Sequence, residues 1–130
     1  VNLWTLYRKE HTVKKILLVD DEESIQFVYR EEFEDEGYEV ISALDGETGL
    51  EKFQNEKPDL VILDIRMPGM GGIQVLRQMK MRNPAVPVIL SSAYQEFKRE
   101  LGSWASDEYI VKSGNLDELK GAVKKLLGDC

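Results

Sequence analysis

Residues 60–64 read Leu60-Val61-Ile62-Leu63-Asp64, four apolar side chains followed by one acid. A continuous apolar run of this length, without alternation, marks a strand buried on both faces. Residues 16–21, Ile16-Leu17-Leu18-Val19-Asp20-Asp21, repeat the design. Between and after these runs the pattern changes to helical spacing. After residues 20–21, Ser24 stands where a helix cap is expected. Ile25, Val28, Tyr29 and Phe33 recur along one predicted face, and Gly37 offers a stop.

The alternation continues. Tyr38 to Ala43 is a partly polar run, expected at a sheet edge, and Asp45-Gly46 signals a turn. Leu50 and Phe53 mark a short helix that ends before Pro58. The loop Arg66-Met67-Pro68-Gly69-Met70-Gly71-Gly72 is rich in turn formers, and Ile73, Leu76 and Met79 follow at helical spacing up to Asn83-Pro84. Val86 to Leu90 reads as a fourth strand ending in Ser91-Ser92, with Pro87 near its start. Gln95 to Leu101 is a weaker helix. Tyr109-Ile110-Val111 is a fifth strand ending in Lys112. Asn115-Leu116-Asp117-Glu118 resembles a capping box, and Leu116, Leu119, Val123, Leu126 and Leu127 line a last helix.

Strands alternating with helices predict an α/β fold: a doubly wound parallel sheet of five strands with five helices. The expected strand order is the flavodoxin-like 2-1-3-4-5. No linker or repeat divides the chain. Residues 14–130 are therefore expected to form one domain, and residues 1–13 an N-terminal tail or extension.

Composition narrows the function. The 130 residues are 42% hydrophobic and 32% charged, with a net charge of −7, an ordinary globular profile. The acidic balance argues against non-specific binding to nucleic acid or anionic lipid. No apolar run approaches a membrane span. Cys130 is the single cysteine and His11 the single histidine, so an internal disulfide and multi-histidine zinc sites are excluded. A reducing cytoplasm is the expected location.

The chemistry gathers at strand ends. In a parallel sheet these ends share one edge, where ligands bind at the topological switch point. Asp20 and Asp21 end the first strand, Asp64 the third, Lys112 the fifth, and Ser92 follows the fourth. Adjacent first and third strands would bring three carboxylates together. Such a cluster calls for a hard cation, with magnesium or manganese as the expected ion. A carboxylate can also act as a nucleophile toward phosphorus. The metal, the Lys112 ammonium and the Ser92 hydroxyl could share the charge of a transferring phosphoryl group.

Four separated segments in this order resemble bacterial response-regulator receiver domains, from about Lys14 to Leu127. They are Ile16 to Glu22; Pro58 through Asp59 and Asp64 to Pro68 and the glycines after it; Ser92-Ala93-Tyr94; and Tyr109 to Lys112. The resemblance implies a phosphorylation-activated switch of a two-component system rather than a turnover enzyme. It implies Asp64 as phosphoacceptor, served by a histidine kinase or a histidine phosphotransfer protein, with an unknown output protein or domain downstream. Asp21 would bind the metal directly, Asp20 through water, and the Arg66 backbone carbonyl would be a further ligand. Ser92 matches the switch hydroxyl, Tyr109 the switch aromatic, and Lys112 the phosphate-binding lysine. Arg66 and Tyr94, two positions after Asp64 and Ser92, would flank the path of an attacking water and tune the phosphoryl lifetime. Dimerisation on phosphorylation is left open.

One departure concerns the residue after Lys112, proline in most of the family and Ser113 here. The loop is expected to be either trans and rearranged or cis and strained. The main rival reading is a magnesium-dependent phosphatase with Asp64 as nucleophile. That chemistry needs a second acid two residues later, where this chain has Arg66. A flavin carrier would need a phosphate loop rich in Ser, Thr and Gly after the first strand, where Asp20-Asp21-Glu22-Glu23 stands instead.

Overall fold

The computed structural model describes residues 2–3, 13–93 and 106–128. Five strands form one parallel sheet: β1 (Lys15–Val19), β2 (Glu39–Ala43), β3 (Leu60–Asp64), β4 (Val88–Ser92) and β5 (Glu108–Val111). Their order is β2-β1-β3-β4-β5, as expected. Four helices lie among the described residues: α1 (Glu23–Asp35), α2 (Gly46–Glu56), α3 (Gly72–Arg82) and α4 (Asp117–Leu127). The predicted count was five. The remaining segment, Gln95 to Leu101, lies outside the described residues.

The continuous apolar runs form strands because both sides of the sheet are covered. All five residues of β3 are buried, and Ile16 to Val19 of β1 are almost fully excluded from solvent. On one face Leu17, Val19, Val61, Leu63 and Leu90 meet Leu50 and Phe53 of α2 and Val75, Leu76 and Met79 of α3. On the other, Ile16, Leu18, Ile62 and Ile89 meet Tyr29 and Phe33 of α1 and Leu119 and Val123 of α4. Strand alternation sends neighbouring residues to opposite faces, so one run supplies both cores.

Several local expectations change. Helix α1 has Glu22 rather than Ser24 at its N-cap position, without a side-chain cap bond, and the Glu22 N–H donates to the Asp20 carboxylate at 2.9 Å. Its inner face carries Gln26, Tyr29 and Phe33, whereas Val28 is exposed. It ends as predicted at Gly37, which adopts φ +95° and lets Tyr38 N–H reach back to Phe33 O. The Asn115 segment is not a capping box. Asn115 Oδ1 accepts from Asp117 N–H at 2.8 Å, a local turn bond before a helix that starts without a side-chain cap. Pro87 precedes β4, where its missing N–H costs no ladder bond. No helix among the described residues is long and apolar enough to cross a membrane.

Candidate functional site

The tips of β1 and β3 lie side by side at the carboxyl edge, with Val19 opposite Leu63. The chain therefore delivers Asp20, Asp21 and Asp64 to one place. One carboxylate oxygen from each lies within 4.8 Å of the other two, a spacing suited to one shared cation. Asp20 and Asp64 are buried, and Asp21 is exposed.

Lys112, just beyond β5, points into this cluster. Its Nζ donates to Asp20 Oδ2 at 2.8 Å and lies 3.5 Å from Asp64 Oδ1. One cation thus faces three acids. Burial acts to lower the Lys112 pKa, but the Asp20 hydrogen bond and the charges of Asp20, Asp64 and Glu22 outweigh it and raise the value. For Asp64 burial wins. It pushes the carboxyl up to about 6, against the pull of Lys112 and with the repulsion of Asp20 and Asp21 in the same direction. The Arg66 backbone N–H, aimed at the Asp64 carboxylate, opposes the rise.

The loop after β3 is held close to its strand. Gly72 N–H donates to Ile65 O at 2.8 Å. A Cβ at Gly72 would collide with the Asp64 carbonyl oxygen and stand 2.7 Å from Ile65 Cα. Only a glycine lets α3 begin this near the acid.

The other expected residues divide by face. Ser92 is the buried last residue of β4, in register with Val111, and alternation puts it on the side of Leu90 and Tyr109. Tyr109 is only 4% exposed and packs in the core shared with α2 and α3, so this structure has it turned inward. The side chain of Arg66 is exposed. Tyr94 lies outside the described residues. The Lys112–Ser113 bond is trans, and Ser113 Oγ donates to Asn115 O at 2.8 Å.

Sequence reading passed over three polar residues under this cluster. Ser91, in register with Asp64 and on its face, is 2% exposed. Tyr29 turns its hydroxyl toward Ser91 Oγ, near enough to ease its ionisation slightly, yet the two oxygens do not close a full hydrogen bond. Burial dominates and raises the Tyr29 pKa. Gln26 is 7% exposed and bonds to backbone at the ends of β1 and β2. Its place in a helical pattern with Ile25 and Tyr29 was the available signal, but a glutamine beside exposed Phe27 and Val28 reads as surface.

Comparison with known proteins agrees with this geometry. Residues 16–124 match the family model of the response regulator receiver domain. The chain belongs to that family: it is a receiver domain of two-component response regulators, and the phosphatase alternative is not favoured. It is 39% identical over 119 residues to sporulation initiation phosphotransferase F of Bacillus subtilis, covering 88% of this chain and 94% of that protein. It is 40% identical over 116 residues to the alkaline phosphatase synthesis transcriptional regulatory protein PhoP of the same organism, covering 88% of this chain but 48% of PhoP. This chain thus spans about half the length of that regulator. Among solved structures, the response regulator TrrA of Thermotoga maritima, in complex with Mg(2+)-BeF, superposes with a TM-score of 0.84 at 48% identity, covering 88% of this chain and 99% of TrrA. TrrA is also known in complex with the histidine kinase ThkA.

Proposed function

We propose that this receiver accepts a phosphoryl group on Asp64 from a histidine kinase or histidine phosphotransfer protein and acts as a switch read by an output protein or domain. The observation that carries the reading is the meeting of Asp20, Asp21 and Asp64 beside the Lys112 ammonium. Three crowded carboxylates with one cation fit a divalent ion, and the donor set is all oxygen, as magnesium or manganese prefers. Asp21 and Asp64 would hold it directly, Asp20 through water, with the Arg66 backbone carbonyl as a further ligand. The bound ion would supply neutralisation of phosphoryl charge.

The chain's own groups do the rest. Asp64 Oδ attacks phosphorus as the bond to the donor breaks, and the aspartyl phosphate forms. Lys112 leaves Asp20 for the new oxygens, a short shift given its 3.5 Å approach to Asp64. Ser92 donates to the phosphoryl group, and Tyr109 acts as the switch aromatic by being held, once Ser92 has moved, in the inward position it occupies here. Arg66 and Tyr94 shield the phosphorus from water and slow hydrolysis. The domain is residues 14–130, with 1–13 as an extension, working in the cytoplasm and promoting its own phosphorylation and dephosphorylation without turnover of a substrate.

Acetyl phosphate with Mg2+ should retard the wild-type chain on a phosphate-affinity gel. Asp64→Ala, or omission of the metal, should abolish the shift. Equal retardation of wild type and Asp64→Ala would remove Asp64 from the reaction.

A further inference from the structure

Gln26 is the one side chain of α1 that reaches backbone on both β1 and β2 at the carboxyl edge. Its Nε2 donates to Leu18 O at 3.1 Å, Asp20 O at 3.0 Å and Ala43 O at 2.9 Å. Three carbonyls for two N–H groups means that one donor is shared. The amide orientation is forced, since the reverse would aim Oε1 at three acceptors. The cost of this choice is visible: Gln26 Oε1 is buried without a hydrogen-bond partner. An orphaned acceptor is expensive, so the donor side must hold something worth that expense.

What it holds is the peptide joining the two acids. The Asp20 carbonyl belongs to the planar unit that ends at Asp21 Cα, so fixing its oxygen orients both residues. The same edge is tied again by Asp20 N–H to Ala43 O at 3.1 Å and by Glu22 N–H to Asp20 Oδ1 at 2.9 Å. Gln26 is the only one of these ties that comes from a side chain buried under the cluster, so it can be altered without touching an acid.

We infer that Gln26 is a positioning residue for the cation site, setting the Asp20–Asp21 turn at the distance from Asp64 that one divalent ion requires. This rests on the reading of Asp20, Asp21 and Asp64 as a metal site, and deepens it. Groups behind metal ligands commonly change affinity by about 10–100-fold when removed.

Isothermal titration of Mg2+ into the metal-free full chain tests it. Gln26→Met keeps the shape and deletes the donors. Its Mg2+ Kd should rise roughly tenfold or more. Phe33→Leu, a core change on the same helix, should lower the melting temperature without changing the Kd. Hydrogen exchange of the Asp20 and Glu22 amides, compared with core amides of β3, should quicken selectively in Gln26→Met, whereas Phe33→Leu should quicken both alike. Where Gln26→Met does not fold, the wild-type Nε2 protons decide in 15N spectra: they should be protected and should move as Mg2+ is added. Equal Kd values for wild type and Gln26→Met, or unprotected and unmoved Nε2 protons, overturn the inference alone. A wild-type chain that takes up no Mg2+ overturns the site reading and the inference together.

Discussion

Asp45 and Asp64 occupy similar places and behave in opposite ways. Each stands at or just beyond the carboxyl end of a parallel strand and before a helix, Asp45 directly before Gly46 of α2 and Asp64 separated from α3 by a glycine-containing loop. Asp45 is exposed and caps α2, accepting Thr48 N–H at 2.7 Å and the Thr48 hydroxyl at 3.1 Å. Those bonds hold its pKa below the usual carboxylate value. Asp64 is buried, receives one backbone N–H and faces two other acids, and its pKa is pushed up to about 6. The lesson is that a strand-end aspartate becomes a cap or a site according to what faces it. Donors satisfy the first. The second is left with charge that only a cation or a phosphoryl reaction can use.

The contrast can be broken most severely at Gly72, whose Cβ would meet the Asp64 backbone itself. Backbone cannot yield as a side chain does. Gly72→Ala should cost about 3 kcal/mol in urea unfolding and suppress Asp64 phosphorylation, while leaving the Asp45 cap intact. A variant as stable and reactive as wild type would show that the loop has room to move.

Next comes the sign of the two carboxylates. In metal-free protein near neutral pH, Asp64→Asn should stabilise by about 2 kcal/mol, because an ionised, poorly compensated acid is removed. Asp45→Ala should instead destabilise by about 1 kcal/mol through loss of the cap. Chemical denaturation of both variants checks the pair, and equal signs would dissolve the distinction.

The same two carboxylates also set opposite pH dependences. A folded pKa of about 6 against the ordinary 3.8 means that folded Asp64 holds its proton more tightly than the unfolded chain does. Its favourable contribution is therefore complete below 3.8 and is lost as pH rises through about 6. Asp45 runs the other way, its contribution being present above 3.8 and lost as pH falls through its depressed value. Melting curves of metal-free wild type and Asp64→Asn should diverge between these values. Mg2+ should bind more weakly below about 6, where a proton competes for Asp64. Flat affinity across that range would place the proton elsewhere.

Much of this was legible in the residues. The runs at 16–19 and 60–63 are apolar without alternation, as a doubly covered strand requires. Asp20, Asp21, Asp64 and Lys112 follow such runs directly, so the edge could be assembled from strand order alone. Boundary chemistry was less legible. Ser24 and Asn115 have the composition of caps, but Glu22 stands at the N-cap position of α1, and Asn115 spends its oxygen on a local turn. Val28 fits the helical period as well as Tyr29 does, yet it is exposed, and Gln26, one turn before Tyr29, is buried in its place against backbone carbonyls of β1 and β2.

The sequence by itself determined the strands, their alternation with helices and the acids at their ends, because hydrophobic period acts over short stretches, and the strand order was expected from the flavodoxin-like pattern of those elements. Only the tertiary structure decided which way each polar group points. It put Ser91 rather than Ser92 on the face of Asp64, gave Lys112 to Asp20 before Asp64, and buried Gln26 against three carbonyls. These choices depend on strand register and on distances of about 3 Å between segments that meet only in the folded sheet, and no local pattern encodes them.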